Sequence, residues 1–266
     1  MKQDHALLWS LRGYTVLVFV FIFAPIIASL VFSFNSDRFP TIPLGHFTTQ
    51  WYVKAFSGEA IGPAIRTSLL VSGVTAVLAT FIGFTAAYTD HRYNFFGKKA
   101  FLVLSLLPPT IPLIIFALAT LGWLSMFRAS GLVVSIIIAH TVLCAPFAMA
   151  VIRLRLSQMD SNLEPAAWNL GASEWKAMKQ VILPFTLPSI IAALCLTAAV
   201  SFDEFAVAWF VSGLNKTVPV VILEILTGNI DPQINAIGSV VFLVTITLVV
   251  IAQVMLMSRN PKPETA

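Results

Sequence analysis

The chain has 266 residues, 58% of them apolar and only 11% charged, with a mean hydropathy of +0.89. A length that would otherwise suggest one or two soluble domains therefore describes a membrane protein, because no water-soluble surface has that composition. The 16 Lys+Arg against 12 Asp+Glu contain no basic run, which excludes a nucleic-acid footprint and makes charge a matter of membrane sidedness.

Backbone groups cannot go unpaired in hydrocarbon, so an apolar run of about 20 residues reads as a spanning helix. Six such runs follow one another: Tyr14 to Phe34, Ser68 to Tyr88, Ala100 to Leu121, Leu132 to Ile152, Leu187 to Trp209 and Ala236 to Met257. The first follows Lys2 and Arg12 as a secretory signal would. Its apolar stretch is longer than a signal core and no small-residue cleavage pattern follows, so it is read as a retained span. With the N-terminus in the cytoplasm, 11 Lys and Arg fall inside, among them Arg92, Arg153, Arg259 and Lys262, against 5 outside. That asymmetry follows the positive-inside tendency, and six spans return the C-terminus to the same side.

The long outer connection from Asn35 to Thr67 is rich in turn residues and holds Trp51 and Tyr52. Within the third run, Pro108, Pro109 and Pro112 remove backbone donors and open the helix. Such a break either borders a transport route or is a static packing kink. His140 in the fourth run is read as a hydrogen-bonded helix contact, with a proton relay as the sharper alternative. Cys144 and Cys195 lie in apolar stretches and are read as small structural hydrophobes.

The inner loop from Arg153 to Val181 has the composition of short packed helices. Asp160, Ser161 and Asn162 are capping residues, Pro165 suits a first turn, and Gly171 is a natural stop, which predicts a helix of about two turns. Ser173 then caps a second helix through Trp175 and Met178, expected to break at Leu183-Pro184.

Asp203 and Glu204 in the fifth run need explanation, since ionised groups inside a span cost several kcal/mol and normally face a bundle interior or a watery cavity. Asp203 lies about 24 Å along from Leu187, towards the outer side of the bilayer. Neighbouring helical residues point about 100° apart, so one acid is expected on a path and the other in a pair or at headgroup water. A carboxylate near Phe202, Phe205 and Trp209 suits an organic ammonium ion by charge and cation–π contact; a wet helix end is the plain alternative. In the last outer connection, Thr217 as N-cap and Pro219 in the first turn predict a short helix over Val218 to Leu226, with Glu224 facing solvent and an aqueous vestibule or a docking partner as the sharper alternative. No Gly-rich phosphate loop ending in Gly-Lys-Ser or Gly-Lys-Thr is present, and no Ser/His/Asp or metal-ligand cluster can be assembled.

Glu164-Pro165-Ala166-Ala167, Leu170-Gly171-Ala172-Ser173 and Val181-Ile182-Leu183-Pro184 together resemble the EAA loop of ABC-transporter permeases of the binding-protein-dependent importer type. In that family's pattern the motif Glu would fall on Pro165, with Glu164 one residue early. Further similarity, in Phe47 to Tyr52, Ser201 to Phe205, Val211 to Gly213, Val218-Pro219 and Pro232 to Ala236, covers essentially the whole chain. It is similar to the second, PotC-like permease of the spermidine/putrescine-type branch; related branches handle opines, amino-acid derivatives and aminophosphonates.

The resemblance implies an all-α inner-membrane protein with six transmembrane helices in the type I (MetI-like) importer architecture, both termini cytoplasmic. Its map is a cytoplasmic N-terminus (1–13), a first transmembrane helix (14–34), a periplasmic connection (35–63), a permease core (64–258) with the coupling loop at 153–184, and a cytoplasmic tail (259–266). Residues Glu164, Pro165, Ala166, Ala167, Leu170, Gly171, Ala172 and Ser173 would couple to an ATPase. The substrate path would use Phe202, Asp203, Glu204, Phe205, Trp209, Pro108 and Pro109. Partners would be a homologous permease, an ATP-binding subunit dimer that holds the ATP, and a periplasmic solute-binding protein. The competing class is a stand-alone carrier or channel with Asp203, Glu204 and His140 as a relay. A passive scaffold would need neither the intramembrane acids nor the prolines.

Overall fold

The structure, a computed structural model, describes residues 2–39, 41–228 and 232–257. In chain order its helices are α1 (Lys2–Phe32), α2 (Gln50–Ser57), α3 (Ile61–Arg92), α4 (Lys98–Leu106), α5 (Leu113–Met126), α6 (Val133–Leu156), α7 (Leu163–Asn169), α8 (Glu174–Ala177), α9 (Leu183–Asp203), α10 (Ala206–Val211), α11 (Val218–Gly228) and α12 (Gln233–Met257). Among the described residues, five stretches are long and apolar enough to cross a bilayer: Leu7–Phe32, Ile61–Arg92, Val133–Leu156, Glu174–Asp203 and Gln233–Met257. The predicted tail with Arg259 and Lys262 lies outside the described residues.

The third predicted run is divided between α4 and α5. Between them Pro108–Thr110 form a single 3-10 turn, and Ile111 and Pro112 are extended (ψ 134° and 127°). The cause is local: three ring nitrogens cannot donate, and a residue preceding proline is pushed out of the helical region. The Thr110 N–H and hydroxyl both donate to Leu107 O, at 2.9 and 2.7 Å, so the break recovers part of its bonding internally.

The expected break at Leu183-Pro184 does not occur. Ser173 does cap α8, its Oγ accepting from Lys176 N at 3.3 Å, but the helix continues through a π-helical stretch, Met178–Ile182, directly into α9 with Pro184 in the first turn. The wider turn changes the bonding register just where Pro184 has no N–H to offer, so the proline is absorbed rather than terminating the helix.

Two compact units are distinguished: residues 1–62 with 222–243, and 63–221 with 244–266. In the first, the Asn35 Oδ1 accepts from Gly45 N (2.7 Å) and its carbonyl from Trp51 Nε1 (2.6 Å). Phe34 lies between Phe47 and Tyr52, with ring centroids 5.1 Å apart in each pair, so the aromatic loop residues fold back onto the end of α1. Ser29 Oγ donates to Asn235 Oδ1 of α12 at 3.2 Å.

In the second unit, α6 packs on α9 through small side chains. Ala139, Ala148, Ala193 and Ala199 are buried, and the Thr186, Ser189 and Thr197 hydroxyls donate to carbonyls of their own helix at 2.7 Å. Small residues let two backbones approach where lipid offers no hydrophobic drive between helices. α3 also approaches α6 closely: a Cβ built at Gly83 would lie 2.6 Å from Met149 N and 2.6 Å from Ala148 Cβ. One apolar cluster joins α5, α6 and α10 around Leu124, Ile136 and Val207; another joins α3, α6 and α9 around Ala87, Ile152 and Ala193.

The start of α11 is as predicted, but its cap is not. Thr217 occupies the expected position with its Oγ1 buried and unpartnered, and the Val218 N–H instead donates to Ser68 Oγ of α3 at 2.9 Å. A hydroxyl from a neighbouring helix has replaced the local one. Glu224 is half-buried rather than solvent-facing.

Candidate substrate path and coupling surface

The fifth predicted span is not one helix. α9 ends at Asp203, Glu204 is extended (φ −70°, ψ 119°), and the chain re-enters helix as α10. The break separates the two acids completely. Glu204 turns inward: both carboxyl oxygens accept from Val207 N (3.0 and 2.9 Å), and one also accepts from Ala208 N (3.1 Å). It thus satisfies two of the orphan donors that open α10. Its Oε2 also lies 3.3 Å from His140 Nε2, a contact without hydrogen-bond alignment, while His140 Nδ1 pairs with Ser201 Oγ at 2.9 Å. His140 is fully buried and Glu204 is 8% exposed, so a knot of three side chains ties α6 to the break.

Asp203 is exposed. Phe205 and Trp209 stand together one helical turn apart, ring centroids 5.9 Å from each other, and Trp209 is exposed. Phe202, by contrast, is buried. Of the residues expected on a path, Asp203 and Trp209 are exposed and Phe205 is half-buried, whereas Glu204 and Phe202 belong to the interior. Pro108 lines a separate cleft of about 240 Å³ with Gly83, Thr141 and Pro146, and Asp203 is not part of it. A further cleft of about 580 Å³ is lined by Asp90, His91, Arg153 and Ser157, likewise away from Asp203.

The loop between α6 and α9 forms the short helix its sequence predicts, although Asn162 at its N-cap makes no side-chain capping bond. α7 is two turns long and closes on Gly171 at φ +83°, with Gly171 N bonded to Trp168 O (2.8 Å) and Ala172 N to Ala167 O (3.0 Å). That crossed pair of bonds needs a left-handed residue, which glycine supplies without steric cost. Pro165, Ala166, Asn169 and Leu170 are exposed, Leu170 at 90%, and Trp175 follows at 66%. Ala167 and Ala172 are half-buried and Ser173 is exposed. Glu164 is the exception: 7% exposed, it pairs with Arg92 Nε at 3.0 Å. Arg92 also lies over the Trp168 ring, 4.7 Å from its centroid.

The sequence marks Arg92 only as an inner-side cation, Ser201 only as part of a family-like segment and Ser68 only as a span boundary, and it gives Trp168 no role. Arg92 and Glu164 are separated by 72 positions and His140 and Ser201 by 61, and no local periodicity reports such pairings.

The sequence profile of the family described as "binding-protein-dependent transport system inner membrane component" matches residues 79–262, more than half of the chain. The chain belongs to that family. Over 250 residues this permease is 29% identical to the spermidine/putrescine transport system permease protein PotC of Haemophilus influenzae, which covers 94% of this chain and 97% of the relative. It is also 29% identical over 238 residues to the putrescine transport system permease protein PotI of Escherichia coli, covering 85% and 83%. Among solved structures, a chain of a bacterial ABC transporter involved in the import of the acidic polysaccharide alginate superposes with a TM-score of 0.75 over 97% of this chain and 98% of that one. At 18% identity that likeness is one of fold.

The resemblance read from the inner loop and the fifth span is therefore correct. The permease is a multi-pass inner-membrane subunit of a binding-protein-dependent transport system rather than a catalyst. Membership also sets aside the stand-alone carrier: the buried His140–Glu204 contact belongs to a helix break inside an importer subunit.

Proposed function

We propose that this permease moves a polyamine or a related organic ammonium ion inward by alternating access, as one half of a pair with a homologous permease, and that Asp203 is its acid on the path. The observation that carries the assignment is the division of labour at the break. Glu204 is consumed by the α10 backbone and His140, which leaves Asp203 as the exposed acid of the break, two and six positions before the paired rings of Phe205 and Trp209. A carboxylate flanked by aromatic faces attracts a cation by charge and by the ring quadrupole, the latter contributing about 0.5–2 kcal/mol per contact. The relatives named for spermidine and putrescine support the substrate class.

In this reading six spans place both termini in the cytoplasm, α4 and α5 together complete the third crossing, and 64–258 is the working core. The exposed face of α7 and the turn after it (Pro165, Ala166, Leu170) meets the ATPase from the cytoplasmic side. Closure of the ATPase pair shifts that face, and the spans reorient a cavity shared between the two permeases.

The test is uptake of labelled putrescine and spermidine into vesicles holding the permease with its proposed partners, each omitted in turn. Asp203→Asn is expected to raise KM about tenfold, the loss of a ~1.4 kcal/mol interaction, with unchanged amounts of assembled complex. Unchanged kinetics in the Asn and Ala variants would remove Asp203 from the path.

A further inference from the structure

Resting on that reading, we infer that Arg92, Glu164 and Trp168 form a pin through which movement of α7 is delivered to the end of α3, so that Arg92 and Glu164 are positioning residues for energy coupling rather than ATPase contacts. α7 reaches the spans by two kinds of route. One is covalent, back along residues 157–162 to α6 and on through α8 and the π-helical turn into α9. The other is the Arg92 side chain, whose Nε donates to Glu164 Oε1 at 3.0 Å while its guanidinium lies 4.7 Å from the Trp168 ring centroid. Glu164 and Trp168 are four positions apart and so occupy one face of α7. One planar cation therefore grips the coupling helix at both of its turns, by an ion pair and by stacking.

The other end of the grip is itself anchored. Two residues earlier on α3, Asp90 Oδ2 accepts from Arg153 Nε of α6 at 2.6 Å, and Lys98 Nζ at the start of α4 donates to the Asp90 carbonyl at 2.5 Å. The end of α3 is thus a junction of α4, α6 and α7, and a displacement of α7 acts on all of them at once. Glu164 also has the burial of a structural group: it is 7% exposed, whereas Pro165, standing where the family's motif has its Glu, is exposed and carries no charge. A paired buried ion keeps its partner by geometry, because breaking one side leaves an uncompensated charge. That property suits a rigid link, which transmits displacement without slack.

The test uses the complete complex in proteoliposomes, reading ATP hydrolysis and solute uptake in parallel for Arg92→Ala, Arg92→Lys, Glu164→Ala and the reversal Arg92→Glu with Glu164→Arg. In the single Ala variants the solute moved per ATP hydrolysed is expected to fall about tenfold, with hydrolysis itself within about twofold of the parent. The reversal is expected to recover uptake to within about threefold of the parent, and Arg92→Lys, which keeps the charge and loses the planar fork, to fall between.

Uptake and hydrolysis falling together, with less ATPase co-purifying in the Glu164 variants alone, would show that Glu164 contacts the ATPase and would overturn the pin. Unchanged coupling in both Ala variants would overturn it too, as would loss of assembly in every variant, the reversal included. A parent complex without ATP-driven uptake would instead refute the importer reading itself, which separates the two failures.

Discussion

The break after Asp203 makes opposite demands on its two acids, and removing each in turn distinguishes them. Glu204→Ala strips the Val207 and Ala208 N–H groups of their acceptor and leaves His140 without its neighbour, in surroundings where water does not replace them. A buried donor left unsatisfied costs about 1–3 kcal/mol, so two of them give about 2–6 kcal/mol. Glu204→Gln retains one amide oxygen in the same place and is expected to cost about 1–3 kcal/mol, one donor's worth. Asp203→Ala removes an exposed side chain and should remain within about 0.5 kcal/mol of the parent.

The measurement is thermal unfolding of the detergent-solubilised permease complex, followed by its aggregation midpoint and by retention of the complex on size exclusion. The expected order of stability is parent, Asp203→Ala, Glu204→Gln, Glu204→Ala. A further arm combines Glu204→Ala with His140→Ala: because the two share one knot, their costs should fall short of additive by at least about 0.5 kcal/mol. Equal stability of the Asp203 and Glu204 alanine variants would refute the argument that Glu204 holds the break and Asp203 does not.

Two other outcomes follow from contacts elsewhere in the core. Ser68→Ala removes the acceptor of the Val218 N–H and is expected to destabilise by about 1 kcal/mol, whereas Thr217→Val, which removes a buried unpartnered hydroxyl, should be neutral or stabilising; unfolding midpoints of the two give the sign. Gly83→Ala places a methyl group 2.6 Å from Met149 N, so α3 and α6 must separate, at about 1–3 kcal/mol, read as a lowered midpoint and reduced yield of the assembled complex. The same substitution at Gly73, where a Cβ meets nothing within 4 Å, serves as its control.

Much of this architecture was legible because it is local. Proline has no N–H wherever it is placed, so the interruption at Pro108-Pro109 and the first turn of α11 at Pro219 could be read directly from the chain. Gly171 likewise announced its own left-handed stop. The reading failed at Leu183-Pro184 for a reason just as physical: a proline forbids one bonding register, and a π-helical turn offers another.

The sequence by itself determined a membrane-embedded, all-helical importer subunit: its apolar runs exceed what water tolerates, its prolines and glycines punctuate them, and its inner loop carries a family pattern. Only the tertiary structure decided which of two adjacent acids faces inward, that Ser68 rather than Thr217 caps α11, and that Glu164 grips Arg92. Those choices depend on side chains brought together across tens of positions. A buried polar group takes whichever partner the packing presents, and that partner is recorded in no local spacing.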